Sequence, residues 1–327
     1  MNLWNPTEDL IREILIQGGF VNAHSHLDRA YTITKEIMEK TKDPLQEKWS
    51  FVDEYKRSAT VNDYMTHIEK ALNVQQFYNH QAVLSFIDID PVCEFNAITA
   101  ARILQTKHQQ IQFVTACQTL KGVLDTSAKR YIEKAMDEFD ILGGLPGKDK
   151  GREADHIDQL FFWAAETGKR VHVHVDQLNT PDEKETELLA RKTIEHGLEG
   201  RVTAVHSISL ACHPIKYRKE IYKVCKDAGL SFISCPSAWI DHPRTERLMP
   251  FHNAVTPIEE LLENDLTVAL GTDNICDVYK PYCDGDMINE MRLMIDACKI
   301  YDKNTIVDIC VYNGLEVLGL ADHLGEE

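Results

Sequence analysis

Histidine recurs in this chain at spacings that suit a metal. His24 and His26 are one residue apart in "FVNAHSHLDR", His172, His174 and Asp176 alternate in "VHVHVD", and His206 and Asp273 end the apolar runs "VTAVH" and "LTVALGTD". On an extended strand, side chains two residues apart share a face, so His24 and His26 point together, as do His172, His174 and Asp176. Imidazole nitrogen and carboxylate oxygen are the donors that borderline divalent ions such as zinc accept, and a catalytic site combines a few of them with one position left open for water. Taken singly, a histidine at a strand end is a hydrogen-bonded polar residue, and an aspartate before a helix is a cap. They become one centre only if the fold brings these strand ends to one place.

The elements that would do so are short apolar, β-branched runs separated by helix-compatible segments, the alternation of parallel βα units. Eight are present: Gly19–His26, Ala82–Ile89, Ile111–Cys117, Phe139–Gly144, Arg170–Asp176, Arg201–Ser207, Leu230–Pro236 and Leu266–Asp273. Between them lie segments such as Glu153–Gly168, with apolar residues at helical spacing and a glycine stop. Eight such units in 327 residues predict the α/β class, a (β/α)8 TIM barrel forming a single domain over residues 1–327. In that fold the active site gathers at the C-terminal ends of the strands, where every histidine above is expected, His172 either hydrogen-bonding to a ligand residue or serving the structure alone. The stretch Ala30–Gln81 exceeds one helix and predicts an extra helix over the barrel mouth.

A net charge of −17 repels nucleic acid and anionic membrane surfaces alike, so the expected partner is a small-molecule substrate. Nine cysteines without a CxxC pair read as reduced thiols, and neither a signal peptide nor an 18-residue apolar run is visible, which together predict the cytoplasm. A homo-oligomer is compatible with all of this.

At these positions the sequence resembles the amidohydrolase superfamily, in its cytosine deaminase and N-isopropylammelide aminohydrolase branch. The resemblance rests on "GFVNAHSHLDR", "FIDIDP", "ACQ", "GGLPG", "VHVHVDQ", "VTAVHS" and "GTDNICDVYKPYCDGDM". It implies hydrolysis of a C–N bond in a small nitrogen heterocycle, with His24, His26, His174 and Asp273 binding one divalent metal ion, zinc ahead of iron or manganese. It also implies His206 beside the water or the substrate, and Gln118 reading an amide-like edge. Binuclear members bridge their ions with a carboxylated Lys or a Glu at the end of the fourth strand; here that strand ends "ILGGLPG", with neither before Lys148, which implies a single ion. Such an ion makes hydroxide available near neutral pH, and Asp273 would take up a proton and return it to the leaving amine while His206 hydrogen-bonds the oxygen.

Two departures stand out. The branch usually places a carboxylate after the strand-five "HxD", as a proton shuttle, whereas Gln177 occupies that position and an amide cannot carry a proton back and forth. Asp176 could take over the shuttle, the leaving group could need none, or the protein could bind without turning over; a cyclic amide hydrolase is the related alternative. The second departure is that relatives carry a small β-sandwich, for which this sequence offers little outside the barrel. Glu183, Glu185 and Glu187 are expected in solvated first turns of a helix. Trp239, Asp241 and Tyr279 are offered to a pocket wall.

Overall fold

The computed structural model describes residues 3–43, 45–240 and 254–321, apart from the side chains at positions 45, 46, 239 and 240. Among these residues there are eight parallel strands: β1 (Phe20–Ser25), β2 (His80–Asp88), β3 (Gln112–Gln118), β4 (Leu142–Gly144), β5 (Val171–Val175), β6 (Val202–His206), β7 (Ser231–Ser234) and β8 (Val268–Leu270). They form a ladder β1-β2-β3 and a ladder β4-β5-β6-β7-β8. Two seams join the ladders into a TIM barrel: an Ala116–Ile141 bridge between β3 and β4, and a Ser25–Asp273 bridge between β8 and β1. Strand residues from Ala82 to Asp88 are buried on both faces, as expected when a parallel sheet has helices outside and packed side chains inside.

Both seams explain why β4 and β8 are shorter than their apolar runs. At the first, Asp140 and Ile141 both donate their N–H to Thr115 O, each at 3.0 Å, Cys117 N–H donates to Ile141 O at 3.2 Å, and Gly143 N–H then meets the Cys117 sulfur in place of a carbonyl. A Cβ on Gly143 would lie 1.9 Å from Cys117 O and 2.6 Å from the Phe86 ring, so "GGLPG" is more than a flexible loop: its glycines let β4 close on its neighbours. At the second, Thr272 N–H donates to Asn22 Oδ1 at 3.0 Å and Asn22 Nδ2 donates to Thr272 Oγ1 at 2.8 Å, locking the chain after β8 to β1.

Among the described residues, twelve α-helices surround and cover the strands. They are α1 (Pro6–Ile16), α2 (Leu45–Ser58), α3 (Val61–Phe77), α4 (Asn96–Lys107), α5 (Thr126–Ala135), α6 (Glu153–Thr167), α7 (Glu185–His196), α8 (Ile215–Asp227), α9 (Ile258–Glu263), α10 (Met287–Cys298), α11 (Lys303–Val307) and α12 (Asn313–Leu318). The long first connection holds two helices, α2 and α3, the second opened by a Thr60/Asp63 capping box. Lys56 of α2 meets Asp90 at 2.5 Å and Asp88 at 3.0 Å, which pins α2 to the C-terminal end of β2, over the mouth. At the opposite end, α12 packs on the strand starts: Asn313 Nδ2 donates to Val268 O at 2.8 Å, and His172 Nε2 donates to Val317 O at 3.0 Å. His172 is thereby a structural residue far down the barrel. No described helix is long and apolar enough to cross a membrane, and no disulfide joins the cysteines among the described residues.

Candidate metal centre and its pocket

β1 and the chain after β8 build the centre between them. A Cβ on Gly271 would lie 2.7 Å from His24 Cβ and from His24 O, so glycine is what lets this segment lie against the HxH strand. Asp273 then donates its N–H to His24 O at 2.9 Å. Its carboxylate Oδ1 ends 3.3 Å from His24 Nε2 and 3.2 Å from His26 Nε2. His174 and His206 arrive from β5 and β6 with ring centroids 4.8 and 5.2 Å from that of His24. Candidate donor atoms of His24, His26 and His174, and likewise those of His24, His206 and Asp273, lie within 4.8 Å of one another.

These residues suit a divalent ion. Two donors each roughly 2.1 Å from one ion stand roughly 3.0–3.4 Å apart, the range of the His24 and His26 contacts with Asp273. His174 donates through Nδ1 to Gly144 O at 3.0 Å, which leaves the Nε2 lone pair facing the centre, the usual way a ligand tautomer is fixed. His174 Nε2, both ring nitrogens of His24 and His206 Nδ1 are buried without a hydrogen-bond partner among the described residues. Unsatisfied buried polar atoms are costly, and their gathering on three neighbouring rings beside Asp273 marks a place where something binds.

The charges agree. Burial, then the Arg29 guanidinium, lowers His26 to about 3. Burial lowers His206 to about 3 as well, and it holds His174 well below the ordinary imidazole value, with help from the neighbouring His24. Burial alone would raise the Asp273 carboxyl, but the contacts from His24 and His26 outweigh it and keep it well below the usual carboxylate range. The cage is thus an anionic carboxylate among neutral imidazoles at neutral pH, the protonation state a cation requires. His26 Nδ1 lies 2.6 Å from Arg29 Nη2. Arginine can only donate, so without an ion the His26 ring proton sits on Nε2, toward Asp273.

Strand alternation fails at the C-terminal ends. Asp176, His206 and Asp273 have φ of 51°, 76° and 59°, left-handed values that cost a non-glycine residue roughly 1–3 kcal/mol each and cluster at functional sites. The twist turns His206 and Asp273 into the pocket but turns Asp176 away. The Asp176 carboxylate instead accepts the N–H groups of Glu185 at 2.7 Å and Thr186 at 3.1 Å, capping α7, so of the three readings the one that makes Asp176 the shuttle meets a carboxylate held outside the pocket. Glu183 and Glu185 also differ from expectation, being folded inward rather than solvated. Glu183 Oε2 accepts from Leu178 N and Ser209 Oγ, both at 2.8 Å, and Glu185 Oε2 accepts from Asp176 N at 3.1 Å. Burial raises them to about 7 and about 8. Glu187 alone faces outward, paired with Arg191.

The pocket over the cage brings together Gln118, Gln177, His206 and Tyr279 with His26, His174 and Asp273. Gln118 Oε1 is buried and unpartnered among the described residues. The Trp239 side chain and Asp241 lie outside the described residues. Arg29 and Trp49 also line the pocket and were not singled out from sequence. Arg29 is held by both oxygens of Asp88 at 3.4 Å. The signal for it was present in the alternating acids Asp88 and Asp90 at the end of β2, which need buried cations and find Arg29 and Lys56. Trp49 sits on α2, where no periodic pattern points to a site.

A sequence profile for the amidohydrolase family matches residues 126–309, more than half of the chain. An uncharacterized protein from Haemophilus influenzae is 44% identical over 255 residues, 76% of this chain and 92% of that one. The N-isopropylammelide isopropyl amidohydrolase of Pseudomonas sp. (strain ADP) is 26% identical over 326 residues, 96% of this chain and 77% of that one. Among solved structures, the 5-methylcytosine deaminase of Klebsiella pneumoniae superposes with a TM-score of 0.85 at 23% identity, over 93% of this chain and 75% of that one. With its barrel, its HxH strand and its strand-end donors, the chain belongs to the amidohydrolase family.

Proposed function

We propose that this chain is an aminohydrolase that uses one divalent metal ion, zinc in the first place, to break a C–N bond in a small planar nitrogen heterocycle. The observation that carries the reading is the set of orphaned imidazole nitrogens around the Asp273 carboxylate at the barrel mouth. The relatives' names supply the substrate class: N-isopropylammelide in one case and 5-methylcytosine in another, both nitrogen-rich rings.

His24, His26, His174 and Asp273 would hold the ion, with His206 at the rim of the same cage. When bound there, a divalent ion acidifies its water and draws electron density from the carbon under attack. Ligation through His26 Nε2 would require the ring proton on Nδ1, which could then no longer accept from Arg29, and the guanidinium, still held by Asp88, would turn from that nitrogen to donate into the pocket. Asp273 keeps one oxygen for a proton, which it accepts and returns to the leaving nitrogen. His206 hydrogen-bonds the oxygen that forms at the attacked carbon. Gln118 and Gln177 orient the ring through donor and acceptor edges, and neither relays a proton. Because Asp176 is engaged with α7, Asp273 is left to carry the proton, which favours a leaving group that needs a single one, an amine or the nitrogen of a cyclic amide.

The test is release of ammonia or amine from pyrimidines, triazines, pterins and cyclic ureides by the metal-loaded protein and by Gln177→Glu. Turnover of at least one ring by the native sequence is expected. If rings bind and none is hydrolysed by either protein, the chain is a binding protein and the reading fails.

A further inference from the structure

At the mouth, a small apolar cluster stands apart from the main core. Val52 on α2, Leu120 after β3, Leu145 after β4 and Val278 and Tyr279 after β8 form it, with Trp49 and Phe51 packed against them. Trp49 therefore joins the extra helix to three strand-end loops, and it lines the pocket. The Lys148 ammonium lies 3.8 Å from the centre of the Trp49 ring, over its face. Two carboxylates near Lys148 are engaged elsewhere. Asp53 pairs with Lys121 and lies 3.9 Å from Lys56, while Asp149 is 2.6 Å from His156 Nδ1 and accepts from Leu124 N at 3.3 Å. The indole face is thus the partner these distances give the ammonium, a half-buried cation–π contact.

We propose that Trp49 is the residue by which the pocket selects flat rings, and that Lys148 positions it, gripping the indole so that the substrate stacks or edges against an aromatic wall already in place. The inference rests on the reading of this pocket as a heterocycle site. A gripped indole loses little freedom when a ring binds, so affinity is gained by preorganisation. A puckered ring with the same polar edges meets that wall poorly. Trp49 is thus a specificity-determining residue and Lys148 a positioning residue, and neither takes part in bond breaking. Lys148 is brought down to about 8 by burial and by the charge of Lys121, with Lys56 acting the same way and Asp53 and Asp149 opposing. The grip is therefore charged at neutral pH and released in mild alkali.

Uracil and 5,6-dihydrouracil share their hydrogen-bonding edges and differ in planarity. Their binding to the full metal-loaded chain, read by calorimetry with each ring recovered unchanged afterwards, separates this inference from the proposed reaction because no turnover is needed. Uracil is expected to bind at least about tenfold tighter at pH 7, with the preference kept in Trp49→Phe, lost in Trp49→Leu and reduced in Lys148→Met. Tryptophan emission gives a second readout, since Trp49 is one of four tryptophans and Trp49→Phe isolates its share. That share should titrate near pH 8 in the native sequence, not titrate in Lys148→Met, and stay in its gripped state through pH 9 in Lys148→Arg. Equal affinity for the two rings, no measurable affinity for uracil, or a Trp49 emission indifferent to Lys148 would each overturn the proposal.

Discussion

The imidazole cage and the carboxylates of Asp176, Glu183 and Glu185 lie at neighbouring strand ends, yet they use their polar atoms in opposite ways. Around Asp273, buried nitrogens of His24, His174 and His206 have no partner among the described residues, and the groups sit in the protonation state that receives a cation. Around Asp176, carboxylate oxygens accept backbone N–H groups at 2.7, 2.8, 3.1 and 3.1 Å, and burial pushes the two glutamates toward their neutral forms. Both clusters are acidic or basic, buried and close to the mouth. Satisfaction of the polar atoms, more than their identity, separates a site that awaits a ligand from a brace that holds a helix.

The difference can be broken by substitution, starting where the effect is largest. Asp273→Asn keeps the shape of the cage but removes its charge and its proton carrier, and should lower turnover by roughly 10²–10⁴-fold with an unchanged far-ultraviolet circular dichroism spectrum. Removing metal from the native protein with a chelator should lower thermal stability, since a ligand at 100 times its dissociation constant adds about 2.7 kcal/mol; scanning calorimetry with and without the chelator reads this. Asp176→Ala should cost about 1–2 kcal/mol in denaturant unfolding, the worth of a helix cap, while metal content stays unchanged. A variant that kept its stability and lost its metal would reverse the two roles.

The smallest effect concerns pH. The folded pKa of Glu185, about 8, lies above its ordinary value of 4.5, so the folded state binds more protons between those limits and stability falls as pH rises through that window. Glu185→Gln removes this loss. It should therefore match the native sequence near pH 5 and melt higher near pH 8.5, by on the order of 2 °C, because partial water contact screens much of the shift. Equal melting temperatures at both pH values would show that the carboxyl is solvated after all.

Most of the barrel and the heart of the cage were legible because they rest on local rules. Runs of β-branched residues set the eight strands, and period two put His24 beside His26. The sequence reading went astray where the chain leaves ideal strand geometry. Asp176 faces α7 because its φ is positive, and alternation cannot foresee a residue that ends a strand in the left-handed region. Glu183 and Glu185 looked like helix-end surface charges, and only the tertiary contact with Leu178 and Ser209 shows that the first of them turns inward. Arg29 and Trp49 reach the pocket through a buried ion pair and through an inserted helix, two long-range events without a periodic signature.

The central claim is tested most directly by the metal content of the purified chain, measured by inductively coupled plasma mass spectrometry beside that of His24→Ala. The account predicts about one first-row divalent ion per native chain and close to none in the variant, which should remain folded. A native, folded and active protein without metal, or a His24→Ala protein that keeps its full complement, would contradict it.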